Sequence, residues 1–140
     1  MISCIIIEDE PLASQKLKDY IEKLPNFNLL KSFNSAINAI DFLKQTSVDL
    51  ILLDIEMPNK DGIETCAEIR ALDAYKHTPI LMITRRNDSA MIEKAFENGA
   101  TDYIAKPYQF IEVITRIKLA ERLVQERRAA MDSYLAVQTA

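Results

Sequence analysis

Five short apolar segments alternate along the chain with segments in which apolar residues recur at helical spacing, and this alternation limits the fold more than any other feature. The segment 48–58 is the most apolar of them, and the carboxylate of Asp54 stands at the end of its apolar run. Such a run is typical of a parallel strand buried on both faces. Because an unpaired carboxylate is costly to bury, Asp54 requires an explanation.

The other segments predict the rest of the fold. Strands are predicted at residues 2–7, 27–33, 79–84 and 102–105. A helix is expected after each strand; the fourth is placed at residues 87–98, and the last begins near Gln109. Short loops and right-handed crossovers favour an α/β fold of the flavodoxin-like, doubly wound (βα)5 type, with a five-stranded parallel sheet in the order 2-1-3-4-5.

Length and composition favour one cytoplasmic domain. The 140 residues are 49% hydrophobic, which is enough for a core. Cys4 and Cys66 lie in apolar patterns and are predicted to be buried, reduced thiols. No segment has the roughly 18 apolar residues of a membrane span, and the first residues lack the features of a signal peptide. A net charge of −4 with mixed signs argues against direct nucleic acid binding by this chain.

Acidic residues follow two strands that should be neighbours. Strand 1 ends at Glu8-Asp9 and strand 3 ends at Asp54, and sheets of this type bind ligands outside the carboxyl ends of these strands. Adjacent strands lie roughly 4.8 Å apart, so the carboxylates should approach one another. Like charges about 4 Å apart repel by roughly 4 kcal/mol at an effective dielectric near 20. A divalent cation would cancel that repulsion, and a set of oxygen ligands suits Mg²⁺.

A hydroxyl and an ammonium are predicted at the same edge. Thr84 ends strand 4, and Lys106 follows strand 5, about 10 Å from Asp54 at the backbone, a gap that a lysine side chain can cross. Acids for a metal, a central carboxylate, a hydroxyl and a cation together describe a site for a phosphoryl group. Asp54 would be its nucleophile, because an aspartyl carboxylate can accept a phosphoryl group covalently.

With these residues placed, the chain resembles the receiver domains of bacterial two-component response regulators over about residues 1–122, which leaves 123–140 as a C-terminal helical extension or linker. The matching motifs occur in the order of that family. They are Glu8-Asp9, Leu53-Asp54-Ile55-Glu56-Met57-Pro58, Met82-Ile83-Thr84 and Tyr103-Ile104-Ala105-Lys106-Pro107. The resemblance implies a phosphoacceptor switch that assists its own phosphorylation and dephosphorylation, rather than an enzyme.

The resemblance also implies a role for each group at the sheet edge. A histidine kinase or phosphotransfer protein would phosphorylate Asp54. Mg²⁺ would be held by Glu8, Asp9, Asp54 and the backbone carbonyl of Glu56. The phosphoryl oxygens would be bound by Thr84 and Lys106.

A conformational switch is implied as well. Thr84 would move toward the phosphate while Tyr103 turns inward, and the bond before Pro107 would be cis. These movements would change the contacts of the face formed by helix 4, strand 5 and helix 5 with a downstream effector protein or domain.

Each of these residues has a simpler interpretation when taken alone. Glu8-Asp9 would cap a helix, Thr84 would be a strand residue, Lys106 a solvated charge and Tyr103 half-buried packing. Their joint placement favours the phosphoryl site. His77 lies in a polar loop, and no catalytic role is predicted for it.

Two alternative functions belong to other classes. A haloacid-dehalogenase-like phosphatase also uses a strand-end aspartate, but its nucleophile normally ends the first strand, and steady turnover of a phosphate ester would identify it. A pseudo-receiver would bind partners without phosphorylation, and the presence of Asp9, Asp54, Thr84 and Lys106 argues against it.

Two positions depart from the usual family pattern. The first acid is Glu8, where aspartate is commoner. Arg85 follows Thr84, where a small residue is usual. Arg85 is expected either to pair with Glu56 or to restrict access to the phosphoryl group, and in both cases it would change the lifetime of the aspartyl phosphate. The alternative is that the Arg85 side chain points into solvent.

Apolar residues continue at near-helical spacing as far as Leu135, interleaved with charges. The extension is expected to pair in a homodimer, to lead into an effector domain or to fray. Residues 4–13 are similar to receivers that precede LytTR-type DNA-binding domains, which favours a linker.

Overall fold

Five parallel strands form a single sheet in the computed structural model, which describes residues 1–85, 89–107 and 109–139. The strand order is β2-β1-β3-β4-β5, as predicted. The strands are β1 (Ile2–Ile7), β2 (Phe27–Phe33), β3 (Leu50–Asp54), β4 (Ile80–Thr84) and β5 (Asp102–Ala105). All five residues of β3 are buried, which agrees with its continuous apolar sequence.

In the described ranges, five α-helices connect and cover the strands. They are α1 (Pro11–Glu22), α2 (Ala36–Gln45), α3 (Gly62–Ala71), α4 (Ser89–Glu97) and α5 (Phe110–Thr139). The predicted start of the fourth helix, Asn87, lies outside the described residues. A short 3-10 helix, Asp73–Tyr75, follows α3 and was not predicted.

Side-chain caps begin α2 and α3. Ser35 accepts a hydrogen bond from the N–H of Asn38, and Asp61 accepts one from the N–H of Glu64, as their sequence spacing predicts. At the start of α1, by contrast, Glu10 occupies the cap position, but within the described residues its side chain makes no cap hydrogen bond. The acidic run before α1 therefore has another role.

The sheet is covered on both faces, because alternate strand residues point to opposite sides. Residues of α2, α3 and α4 form one core with Ile5, Ile7 and other strand residues, and residues of α1 and α5 form the second. Cys4 and Cys66 are free, buried thiols, and burial raises their pKa values to about 12 and about 11. Both are packing residues, as predicted.

The last helix continues without interruption through the predicted extension. Val124 is buried, and the Arg128 guanidinium lies 2.8 Å from Asp49, so α5 contacts the domain beyond residue 122. Met131, Tyr134, Leu135 and Val137, farther along the helix, are exposed. Although α5 is 30 residues long, it is not apolar enough to cross a membrane, and neither is any other helix in the described part of the chain.

Candidate functional site

The carboxyl ends of four strands bring the predicted site residues together. Ile7 pairs with Leu53, Asp54 with Ile83, and Thr84 with Ala105, so the polar residues at these positions or just after them share one edge. Glu8, Asp54 and Thr84 are 2%, 1% and 0% exposed. Buried polar groups of this kind require partners, and the site provides them.

Three carboxylates converge at this edge. One oxygen each from Glu8, Asp9 and Asp54 lies within 4.8 Å of the other two. This spacing and the set of oxygen donors fit a cation such as Mg²⁺, which binds carboxylates and completes its shell with water. The acids are therefore clustered as predicted, whereas the role of the Glu56 carbonyl stays a prediction.

The Lys106 side chain crosses from β5 into the acidic cluster. Its Nζ lies 2.6 Å from Glu8 Oε1, 3.7 Å from Asp54 Oδ1 and 3.6 Å from Glu10 Oε2. The peptide bond to Pro107 is cis, as the family resemblance implied. The Lys106 side chain is only 10% exposed, so it is a largely shielded cation among carboxylates and not a solvated charge.

The acids and the lysine shift one another's proton affinities. Burial raises the pKa of Asp54 to about 8, and the hydrogen bond and charge of Glu8 act in the same direction. Burial opposes ionisation of Glu8 too, but hydrogen bonds with Asp54 and Lys106 outweigh it and lower the pKa of Glu8. Burial also acts to lower the pKa of Lys106, but Glu8 and Asp54 raise it. Asp54 consequently binds a proton more tightly than an ordinary aspartate does.

Glu56 binds the end of β4. Thr84 Oγ1 donates a hydrogen bond of 3.4 Å to Glu56 Oε1, and the backbone N–H of Arg85 donates to both carboxylate oxygens at 3.3 and 3.2 Å. The Arg85 Nε lies 4.0 Å from Glu56 Oε2. The predicted pairing of Arg85 with Glu56 is therefore present, although the arginine side chain remains 61% exposed.

Glu10 is a site residue that sequence reasoning missed. Its Oε2 accepts a hydrogen bond of 2.8 Å from the Arg85 guanidinium and is also close to Lys106. Its position directly after Glu8-Asp9 was the available signal, but the proline that follows it pointed to a helix start. Only the fold shows that residues 10 and 85 are neighbours.

A glycine allows α3 to begin against the backbone of Asp54. The N–H of Gly62 donates to the carbonyl of Ile55 at 2.8 Å. A Cβ at position 62 would lie 2.2 Å from the carbonyl oxygen of Asp54, a distance that real Cβ atoms do not reach. The absent side chain at position 62 therefore keeps the loop after β3 tight around the phosphoacceptor candidate.

Tyr103 and His77 lie away from the acidic cluster. The Tyr103 ring is half-buried and meets Phe96 edge-on at 6.3 Å between centroids. The predicted inward turn of this ring stays a prediction. His77 precedes β4 and so lies toward the opposite edge of the sheet, where it lines a cavity of about 270 Å³ beside α5.

The sequence comparison agrees with the fold. Residues 4–118 match the family described as the response regulator receiver domain. The chain belongs to this family, whose members act in two-component signalling.

Relatives in this family include regulators from several bacteria. The heme response regulator HssR of Staphylococcus epidermidis is 34% identical over 125 residues, covering 89% of this chain and 54% of that protein. The transcriptional regulatory protein ResD of Bacillus subtilis is 36% identical over 135 residues, with coverages of 96% and 52%. This chain thus spans about half the length of the curated relatives it matches.

A solved structure with similar sequence has the same fold. The response regulatory domain of protein mrkE from Klebsiella pneumoniae superimposes with a TM-score of 0.72 and is 32% identical. The alignment covers 94% of this chain and 99% of that one.

Proposed function

We propose that the protein is a phosphorylation-controlled switch in which Asp54 receives a phosphoryl group from a histidine kinase or phosphotransfer protein. An Asp54 oxygen would attack phosphorus, and the bond between phosphorus and the donor imidazole nitrogen would break. The imidazole would keep that electron pair. The observation that carries the proposal is the buried Asp54 carboxylate, whose Oδ1 lies 3.7 Å from Lys106 Nζ inside a cluster of acids.

The donor set suggests how the site would prepare this transfer. Glu8, Asp9 and Asp54, with the carbonyl of Glu56, would hold Mg²⁺, which neutralises charge on phosphoryl oxygens when bound. Lys106 would exchange its carboxylate partners for a phosphoryl oxygen, since its ammonium is close to Asp54 already. These assignments rest on position and on family membership.

Thr84 would connect phosphorylation to the output surface. Its hydroxyl points at Glu56 at 3.4 Å, so binding a phosphoryl oxygen would require it to exchange that acceptor. Tyr103 on the adjacent β5 would then turn inward, which changes the face formed by α4, β5 and α5. A downstream effector protein or domain would recognise this change by direct contact.

Incubation with acetyl phosphate and Mg²⁺ tests the proposal. Intact mass should increase by one phosphoryl group in the parent protein and not in Asp54→Asn, because the amide is not a nucleophile for phosphorus. Asp19→Asn, on the exposed side of α1, is the matched control and should be labelled like the parent. Phosphorylation that persists in Asp54→Asn would contradict the site, and steady hydrolysis of a phosphate ester would favour a phosphatase.

Arg85 is proposed to lengthen the life of the aspartyl phosphate. Its side chain stands at the mouth of the site between Glu10 and Glu56, where it restricts the approach of water. Arg85→Ala should therefore lose phosphate about two- to five-fold faster, an effect of the size that exposed charged contacts produce. The measurement is the decay of labelled protein after the donor is removed. Equal decay rates in the parent and the variant would rule out this role.

We further propose a receiver domain over residues 1–122 and an extension or linker over 123–140 in a cytoplasmic protein. The greater length of relatives named as transcriptional regulators supports a linker to an effector domain. The exposed side chains of Met131, Tyr134 and Leu135 support a homodimer. Gel filtration before and after phosphorylation distinguishes the linker from the homodimer, since an unchanged oligomeric state would argue against dimerisation.

A further inference from the structure

Three charged side chains join separate loops across the opening above Asp54. Glu10 follows β1, Glu56 follows β3 and Arg85 follows β4. The Arg85 guanidinium lies 2.8 Å from Glu10 Oε2, and its Nε lies 4.0 Å from Glu56 Oε2. These three residues are called the mouth bridge below.

Each acid of the mouth bridge also contacts a group that the proposed function assigns to phosphoryl binding. Glu10 Oε2 is 3.6 Å from Lys106 Nζ. Glu56 accepts the hydroxyl of Thr84 and the backbone N–H of Arg85. Lys106 and Thr84 are thus held by carboxylates that a bound phosphoryl group would have to replace.

We propose that the mouth bridge restrains the unphosphorylated state and slows phosphorylation of Asp54, with Glu10 as a positioning residue that acts through Arg85 and Lys106. This inference rests on the proposed function. Glu10 does not touch the reacting atoms; it holds Arg85 and Lys106 in their resting positions. Opening of the bridge releases both for the incoming phosphoryl group.

The exposure of the bridge limits the size of the effect. The side chains of Glu10 and Arg85 are 42% and 61% exposed, and contacts between exposed charges are weak and screened by salt. Removal of the bridge should therefore raise the phosphorylation rate about two- to five-fold. A larger change would mean that Glu10 participates in the chemistry directly.

The signs of two substitutions distinguish this restraint from simple charge effects. Acetyl phosphate is an anion, so charge alone would make Glu10→Gln faster and Arg85→Ala slower. A bridge that must open makes both variants faster. Because both substitutions remove the same contact, the double variant should be no faster than the quicker single one.

The experiment measures initial rates of labelling by acetyl phosphate at saturating Mg²⁺ for the parent, Glu10→Gln, Arg85→Ala and the double variant. Arg85→Lys retains a cation and should return the rate toward that of the parent. Glu22→Gln and Arg122→Ala make the same charge changes at exposed positions on α1 and α5 and should match the parent. The backbone amide of residue 85 should also exchange with solvent two- to five-fold faster in Glu10→Gln.

The outcomes separate the two proposals. Rates that change in opposite directions in Glu10→Gln and Arg85→Ala, or that add in the double variant, would overturn the restraint and leave the proposed function in place. Unchanged rates in both single variants would also overturn the restraint and leave the proposed function in place. A parent protein that is never labelled would overturn the proposed function and the restraint together.

Discussion

Asp54→Asn is expected to be more stable than the parent protein when no divalent cation is present. Asp54 is 1% exposed and lies beside Glu8. Burial is the larger cause, and the Glu8 carboxylate the smaller, of a rise in the pKa of Asp54 to about 8. At pH 7 the folded state must therefore either bury this charge or take up a proton, and both cost folding free energy, whereas a neutral amide of the same shape requires neither. The gain should be a few kcal/mol, because roughly three pH units separate pH 7 from the ordinary pKa and each factor of ten in proton affinity corresponds to about 1.4 kcal/mol.

The pH dependence follows from the direction of this shift. Because the pKa of Asp54 is higher in the folded protein than the ordinary value of 3.8, the folded state binds the proton more tightly. Its contribution to stability is complete below pH 4 and is lost as pH rises toward about 8. The stability difference between Asp54→Asn and the parent should therefore increase across this range. Urea denaturation at several pH values in a chelator measures it.

Glu8→Gln is the matched control and should have the opposite sign. Hydrogen bonds with Asp54 and Lys106 lower the pKa of Glu8 despite its burial, so its ionised form stabilises the fold. Glu8→Gln should destabilise the protein at pH 7. Addition of Mg²⁺ should stabilise the parent more than Asp54→Asn, because the variant lacks one proposed ligand charge. An Asp54→Asn protein less stable than the parent without metal would contradict the electrostatic account of the site.

Arg70→Met is expected to destabilise the protein by about 3–5 kcal/mol without direct effect on the acids, because it removes hydrogen bonds from a partly buried cation. Arg70 donates from Nε to the carbonyl of Gly99 at 2.8 Å, and from its terminal nitrogens to the carbonyls of Tyr75 and Thr78 at 2.7 and 2.6 Å and to Thr101 Oγ1 at 3.2 Å. Methionine fills part of the space but leaves these carbonyls without their donor.

Arg116→Met supplies the comparison. The Arg116 guanidinium is 3.2 Å from Asp102, but its side chain is 37% exposed, so the loss should be under about 1 kcal/mol. Both free energies of unfolding come from urea denaturation of the complete chain. If the two substitutions cost the same, Arg70 would not be the residue that ties the loops before β4 and β5 to α3.

The predictable part of the fold came from local patterns. The strands follow from the periodicity of apolar residues, which is a local property of the sequence. The order of the sheet follows from the handedness of crossovers, which is a general rule for parallel strands. The acids, Thr84 and Lys106 were predicted to meet because parallel strands end at one edge. The 3-10 helix Asp73–Tyr75 was not predicted, since the side-chain contacts that support it come from distant residues.

The sequence by itself determined the sheet, the position of Asp54 at the end of its central strand and the kinds of group that surround it. Tertiary structure alone decided that Glu10 contacts Arg85 across 75 positions of sequence, that Arg70 joins α3 to the loops before β4 and β5, and that a Cβ at position 62 would collide with Asp54. The reason is physical. Periodicity records which face of an element is buried, whereas a contact between two loops depends on where the finished fold places both.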